Sequence, residues 1–389
     1  MRLLLIADIN SIWTYNYALL LADKDIELTV WPIYKARNSF SSKLMNQGIG
    51  VLAFSDTSYS YFERNKHSFF EKIRFLWCII LDSYNALKNN SFDLINIQYV
   101  DPNYMRLFLL FPWTFKKMVL SYWGSDLLRA KKKDLLQIRR IINRCRGCTF
   151  DNEDLYCEHI RVYGKKVNRE VVMLPLPILD VIDRNRDALS SDNITIAGQV
   201  VCREKTCVCV GYCGRRQQQH IEAIKQLGKI NPDIKNNILI LLPMTYSIDA
   251  NDSYITEVKQ AVTDSGIEYV MFEEFMTDEE VAKLRLVTDV FIHAQTTDAF
   301  SGSICEILYA GGVLVNAKWL HYKEFDKYPI TFREFEEFDE LAPIIESLVQ
   351  ERRVRSGDNR RIIKSLRSVD NCRNAWVNYY NRIVRKDVN

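Results

Sequence analysis

The sequence predicts an α/β protein made of two doubly wound, Rossmann-like parallel-sheet domains. Three observations predict it. Short strand-like apolar runs alternate with helical periodicity from residue 3 to residue 122. Leu174-Pro175-Leu176-Pro177 and the polar stretch Asp183 to Asn193 then break the rhythm. The same alternation restarts at Cys207 and runs to Asn316. Such β/α alternation places successive strands in a parallel sheet. The expected domains are 1–178 and 190–368.

In the first domain, Leu3–Ala7 reads as a buried strand ending at Asp8, Tyr15–Ala22 as the following helix and Leu28–Ile33 as a second strand. Phe69, Ile73, Leu76, Trp77 and Ile80 recur at helical spacing, which predicts a helix over roughly 66–88. Phe92–Ile97 and Met118–Tyr122 read as further strands. Prolines at 175 and 177 suit an extended linker. Beyond it, strands are expected at Cys207–Val210, Ile238–Leu242, Val270–Phe272, Val290–His293 and Val313–Asn316. Helices are expected at Gln217–Ile230, Tyr254–Val262, Asp278–Val287 and Ser303–Tyr309. A last helix, 370–386, carries Cys372, Trp376, Tyr379, Tyr380 and Ile383 on one face. It packs either on the second domain or, as the domain assignment expects, back on the first.

The composition is that of a chain with a sizeable core: 48% hydrophobic and 26% charged over 389 residues. Lys+Arg 52 against Asp+Glu 49 gives +3, too small to mark a nucleic-acid binder. The charge is uneven: residues 1–180 hold 25 Lys/Arg and 18 Asp/Glu, and the remainder 27 and 31. A basic first half suits an anionic partner such as a membrane surface or a phosphorylated lipid. The longest apolar runs, Phe75 to Leu81 and Leu107 to Trp113, fall far short of the about 20 residues a spanning helix needs. The apolar start ends at Asp8 and is too short for an export signal. The expectation is therefore a cytoplasmic protein with reduced cysteines, peripheral on the inner face of the membrane if the basic half makes that contact.

No Gly-x-Gly-x-x-Gly follows the first strand and no Gly-x4-Gly-Lys-Ser/Thr occurs, which argues against a dinucleotide dehydrogenase and a P-loop NTPase. The richest stretch is Asp298-Ala299-Phe300-Ser301-Gly302-Ser303-Ile304-Cys305-Glu306, followed by Tyr309-Ala310-Gly311-Gly312-Val313. It reads as a loop and a helix opened by small residues. Ser301, Gly302 and Ser303 let a ligand approach the free N–H groups of the helix start, which favour phosphate. Glu306 can accept two hydroxyl hydrogen bonds, as a ribose offers. The same Ser303-x-x-Glu306 spacing fits a capping box, in which Glu306 serves only backbone N–H groups.

An acid, seven residues and Glu, ahead of Ala-Gly-Gly-Val, resembles the Glu-x7-Glu signature of GT-B nucleotide-sugar glycosyltransferases of the family 4 type. Phe92–Gln98 resembles that family's strand into the interdomain cleft, and Trp123-Gly124-Ser125-Asp126 its strand-end Trp-Gly-x-Asp region. The segment Gly214-Arg215-Arg216-Gln217-Gln218-Gln219-His220, with Leu242–Tyr246 and Tyr254–Val258, is locally similar to bacterial lipid-linked 4-acetamidofucose transferases. The resemblance implies two domains facing across a cleft, an acceptor-binding first and a donor-binding second. It places Glu306 on the nucleotide ribose and Asp298, here Asp rather than Glu, near the donor sugar. Arg215 or Arg216 takes the diphosphate arginine's role. The family's lysine is missing, with Gln219 or His220 near its place.

Loss of a diphosphate needs its charge stabilised, which Arg215, Arg216 and the Ser301–Ser303 helix start can do without a metal. Asp126 is the candidate base for an inverting transfer, or else a turn residue. Asn10 and Ser11, in the first βα loop, are expected to face the cleft, or else form an ordinary polar connection. Arg129 to Arg146 carries eight basic residues and Asp134, with Leu135, Leu136, Ile138, Ile141 and Ile142 as an apolar side. It reads as a sheet-covering helix whose charges, with Trp113, Phe115, Lys116 and Lys117, are open to anionic lipid. Cys145-x-x-Cys148 has zinc spacing, but no second such pair exists. Cys207 and Cys209 sit in an apolar strand, so core thiols are expected. The histidines at 67, 159, 220, 293 and 321 show no ligand spacing.

The function expected is a metal-independent, hexosyltransferase-type glycosyltransferase with a nucleotide-diphosphate sugar as co-substrate and no other cofactor. Its acceptor is a saccharide, lipid-linked, in bacterial-type surface polysaccharide synthesis. Two alternatives stay open: a nucleotide-sugar epimerase on the same fold, and a non-catalytic module binding a glycan or a partner protein.

Overall fold

The computed structural model describes residues 1–22, 25–62, 68–165, 167–187, 192–245, 253–351 and 357–385. His67 and Tyr246 lie outside the described residues. The chain divides into two compact units, 1–175 with 369–389 and 176–368.

The first unit is built on a seven-stranded parallel sheet: β1 (Arg2–Ala7), β2 (Glu27–Pro32), β3 (Gly50–Val51), β4 (Leu94–Gln98), β5 (Met118–Tyr122), β6 (Gly147–Phe150) and β7 (Arg169–Val171). Its order is β3-β2-β1-β4-β5-β6-β7. Leu3, Leu4 and Leu5 are wholly buried, as a continuous apolar run in a central parallel strand must be. The order reverses between β1 and β4, the place where an open α/β sheet leaves a crevice at its carboxyl edge. The Val369–Arg385 helix belongs to this unit, and its predicted face is buried against the Ile12–Leu21 helix. Trp376 meets the Tyr17 ring edge-on at 4.9 Å and donates its Nε1–H to the Met173 carbonyl at 3.0 Å.

The second unit repeats the topology. Its sheet comprises β10 (Thr206–Val210), β11 (Ile238–Pro243), β12 (Glu268–Phe272), β13 (Val290–His293), β14 (Val313–Ala317) and β15 (Arg333–Phe335). The order is β12-β11-β10-β13-β14-β15, all parallel. A separate antiparallel hairpin, β8 (Asn193–Ile196) with β9 (Gln199–Cys202), precedes it. The Gly302–Ala310 helix ends at Gly311, whose φ of +100° is left-handed. A Cβ on Gly312 would lie 2.9 Å from the Thr288 carbonyl, so both glycines of the Ala-Gly-Gly-Val turn are sterically required.

Several readings change. The 174–195 stretch is not simply a linker: Ile178–Asn185 is helical and buries Leu179, Val181 and Ile182 in the second core. Residue 176 therefore opens the second unit, ahead of the expected 178–190 boundary. The expected 217–230 helix is broken, because Gln219 is left-handed at φ 55° between a short 3-10 turn and the His220–Leu227 helix. The 129–146 stretch is two short helices, Lys132–Gln137 and Arg139–Ile142. Leu135, Ile138, Ile141 and Ile142 are buried in the first unit, while Leu136 is exposed.

The Phe69–Asn89 helix opens with Ser68 accepting from the Glu71 N–H while Glu71 accepts from the Ser68 N–H, a full capping box. Its buried residues are Ile79 and Ser83. The apolar positions that predicted it lie mostly on the outside: Phe69, Ile73, Leu76 and Trp77 are exposed. No helix among the described residues is long and apolar enough to cross a membrane.

Candidate functional site

The carboxyl edge of the second sheet gathers polar side chains at its reversal point, between β10 and β13. The loop after β10 turns at Gly211, φ +64°, where a Cβ would stand 2.6 Å from His220 Nε2. From this loop Tyr212 reaches across: its hydroxyl donates to Gln295 Oε1 at 2.7 Å and to Asp298 Oδ1 at 3.3 Å. Gln218, buried, donates to the same Gln295 oxygen at 2.6 Å and accepts the Tyr212 N–H. Gln219 donates to the Ala294 carbonyl, and the Thr296 N–H donates to the Gln217 carbonyl. The loops after β10 and β13 are thus laced into one rigid surface.

Asp298 holds the second loop against the Gly302–Ala310 helix. Its Oδ2 accepts the Ser301 N–H at 2.8 Å and the Tyr322 hydroxyl at 2.9 Å. Burial, and then the Asp298 carboxylate, hold the Tyr322 phenol well above its ordinary pKa, so it stays a donor. Phe300, between them, is left-handed at φ 56° and buried. A bulky residue there is strained, and the packing of Phe300 on Tyr322 and Phe325 keeps it in place. Ser301 is the N-cap, but its hydroxyl makes no capping bond. Gly302 and Ser303 then present first-turn N–H groups, which no preceding helical carbonyl can accept.

Glu306 does not form the capping box that its spacing allows. Ser303 lies inside the first turn, and its hydroxyl takes a hydrogen bond from Arg285 Nη2 at 3.1 Å. Glu306 Oε2 accepts from Arg285 Nε at 2.8 Å, with the two side chains 12% and 7% exposed. Arg285 was not foreseen from the sequence. The available signal was an arginine between Leu284 and Leu286, both buried, in the Asp278–Val287 helix. Tyr212, Gln295 and Tyr322 were also missed, and nothing in their local sequence marks them.

The two arginines expected at the diphosphate differ. Arg216 is a fork on Glu257, Nη1 to Oε2 and Nη2 to Oε1 both at 2.8 Å, with its guanidinium over the Tyr254 ring. That fork is the largest cause holding the Glu257 carboxyl down at about 2. Arg215 is exposed and has no hydrogen-bond or ion-pair partner among the described residues. His220 is fully buried, its Nδ1 3.1 Å from the Tyr254 hydroxyl. Burial lowers its pKa to about 3, which favours the neutral imidazole. Its ring fills the space that Gly211 leaves open.

Asp126 lies in the first unit. The same carboxylate accepts N–H groups from Val100 at 2.8 Å, Gly124 at 2.8 Å and Trp123 at 3.1 Å, and the residue is 3% exposed. It ties the loop after β4 to the loop after β5, and both oxygens are engaged, which suits a positioning residue rather than an open base. Beside it, Trp123 Nε1 donates to Gln98 Oε1 at 2.5 Å, and Gln98 donates to Asn96, which donates to Ser121. Asn10 is similarly occupied, accepting the Arg37 N–H at 2.6 Å and donating to the Lys35 carbonyl. Ser11 caps the Ile12–Leu21 helix without a side-chain bond.

Burial raises the Asp126 pKa from 3.8 to about 6, against the pull of its N–H donors. The folded state then binds the proton more tightly than the unfolded one, so this group makes stability fall as pH rises from about 4 to about 6. The expected result for Asp126→Asn is a flatter melting temperature across that window than wild type, read by scanning calorimetry. An identical slope in both proteins would remove Asp126 as the titrating group.

Among the described residues, no three His, Cys, Asp or Glu side chains converge as a metal site. Cys145 and Cys148 lie with sulfurs 3.7 Å apart.

Residues 2–146 match the family model described as glycosyl transferase 4-like. No curated protein sequence matches the chain. Solved structures match over nearly the whole chain. Anabaena Alr3699/HepE, in complex with UDP and glucose, aligns at TM-score 0.66 and 16% identity, over 98% of this chain and 100% of its own. A glycosyltransferase from Rickettsia africae aligns at 0.70 and 11%, covering 99% and 98%. Sucrose-phosphate synthase from Thermosynechococcus elongatus aligns at 0.68 and 10%, covering 98% and 99%. The fold is GT-B. Asp298 and Glu306 lie in the second unit, in the loop after β13 and in the Gly302–Ala310 helix. The glycosyl transferase 4-like match lies in the first unit, where Asp126 and Trp123 stand.

Proposed function

We propose that the protein transfers a sugar from a nucleoside-diphosphate sugar to a hydroxyl of a saccharide acceptor, lipid-linked, in surface-polysaccharide assembly. The observation that carries the reading is the helix start at Ser301–Ser303 with Glu306 held behind it by Arg285. A nucleoside diphosphate matches that arrangement. Its phosphates suit the first-turn N–H groups and Arg215, and its ribose hydroxyls suit a fixed carboxylate. The HepE structures that share the fold hold UDP, glucose and UDP-glucose, which favours the same class of donor here.

In the proposed reaction the acceptor oxygen bonds to the anomeric carbon and passes its proton to the departing diphosphate. The bond from that carbon to the diphosphate breaks, and the diphosphate leaves with the electron pair. Arg215 and the Gly302 and Ser303 amides stabilise that charge, which makes the transfer metal-independent. Arg216, matched by Glu257, contributes less than its charge suggests. Asp298 sits nearest the sugar, aligned by Tyr212 and Tyr322.

The test is a thermal-shift panel with UDP, GDP, dTDP, ADP and CMP. A ligand at 100 times its Kd stabilises the folded state by about 2.7 kcal/mol. One diphosphate is expected to raise the midpoint, and Arg215→Ala is expected to weaken that rise more than Arg216→Ala. No shift with any nucleotide at millimolar concentration would overturn the donor site.

A further inference from the structure

We propose that the outer face of the Phe69–Asn89 helix, with Trp113 beside it, docks on an anionic lipid surface. At 3.6 residues per turn, Phe70, Ile73, Trp77, Leu81 and Tyr84 fall within an arc of about 80°, opposite the buried Ile79. Every one of them is exposed, Phe70 by 82%, Trp77 by 61% and Leu81 by 56%. Trp113, 54% exposed, meets Tyr84 edge-on at 6.2 Å and extends the apolar strip beyond the helix. From Phe70 to Tyr84 the strip runs about 21 Å along the helix. An apolar surface of this length on a soluble face marks an interaction site.

The charges choose the partner. Arg74 and Lys88 lie on or beside the arc, and Lys116 and Lys117 follow Trp113. The helix's two carboxylates lie off the arc and are engaged elsewhere. Glu71 accepts the Ser68 N–H, and Asp82 accepts from Ser55 and Ser58. Phe, Leu and Ile in the centre, Trp and Tyr beside them and only cations at the rim is the composition of a helix lying in a headgroup layer. A face evolved to meet a second protein is depleted in lysine. The exposed residues lie along a single helix, which suits a deformable surface. The 129–146 stretch, whose apolar side is mostly buried, offers charge without insertion. This surface stands independently of the transferase reading.

The experiment is co-sedimentation of the full chain with vesicles of phosphatidylcholine alone or mixed equally with phosphatidylglycerol. Wild type is expected to partition onto the anionic vesicles, and Phe70→Glu with Trp77→Glu is expected to lower that partition by about tenfold or more. Both side chains are exposed, so the variant's melting temperature should match wild type. Equal partition of the variant, or no binding by wild type, overturns the proposal. So does light scattering that shows a wild-type dimer which the same variant dissolves, since the strip would then be the contact between two copies.

Discussion

Glu306→Ala is expected to reduce kcat/KM for the nucleotide sugar about a hundredfold and also to destabilise the second unit. The first effect follows from the ribose contact proposed above, because a hydrogen bond to a charged group contributes about 1.5–3 kcal/mol. The second follows from Arg285, whose side chain is 7% exposed and would lose its carboxylate. Breaking one side of a buried pair costs about 3–5 kcal/mol. The two effects separate in the double variant Arg285→Met with Glu306→Leu. Apolar replacement of a whole buried pair is often neutral, so urea unfolding should return near wild type while activity stays lost. Recovery of activity together with stability would reduce Glu306 to a purely structural partner of Arg285.

Trp376→Ala is expected to cost the first unit about 3–5 kcal/mol. The side chain is 1% exposed, packs on Tyr17, Tyr379 and Tyr380, and satisfies the Met173 carbonyl. Its removal opens a cavity among rings that cannot close up, because Tyr17 and Tyr380 are fixed to each other by a 2.6 Å hydrogen bond between hydroxyls. Asn381→Ala, on the exposed side of the same helix, should fall within about 0.5 kcal/mol of wild type. The midpoint of urea unfolding decides. Equal values for the two variants would mean that the helix contributes little to the unit.

The α/β class was legible because central parallel strands must be uninterrupted apolar runs, as in Leu3–Ala7 and Val290–His293, and the GT-B fold was legible only through the resemblance carried by Asp298, Glu306 and the Gly-Gly turn. The Gly311-Gly312 turn was legible because a left-handed end and a close backbone approach each admit little else. Function-bearing contacts between distant segments were not. Ser303-x-x-Glu306 is compatible with a cap or with a buried ion pair, and only the position of Arg285, one helix earlier, separates them. Arg215 and Arg216 are neighbours of the same chemistry, and the contacts of Arg216 with Glu257 and Tyr254 make them different. Periodicity found the Phe69–Asn89 helix but not its inward side, since apolar residues occupy both faces and the burial signal cancels. Burial hides its own sign in the same way at Asp126 and His220. A polar residue beside a turn looks available in sequence, and its exposure is settled by loops that meet only in three dimensions.

The return of the chain at residue 369 sets an order of events during synthesis. The second unit, residues 176–368, is one uninterrupted segment and can close as soon as it has emerged. The first unit cannot, because the Trp376 face that covers the Ile12–Leu21 helix is translated after the whole second unit. At about 5–20 residues per second, the N-terminal sheet waits on the order of ten to forty seconds for its last helix. Through that interval Tyr17 and its neighbours are uncovered, and the nascent chain offers a binding surface for chaperones that the finished protein lacks.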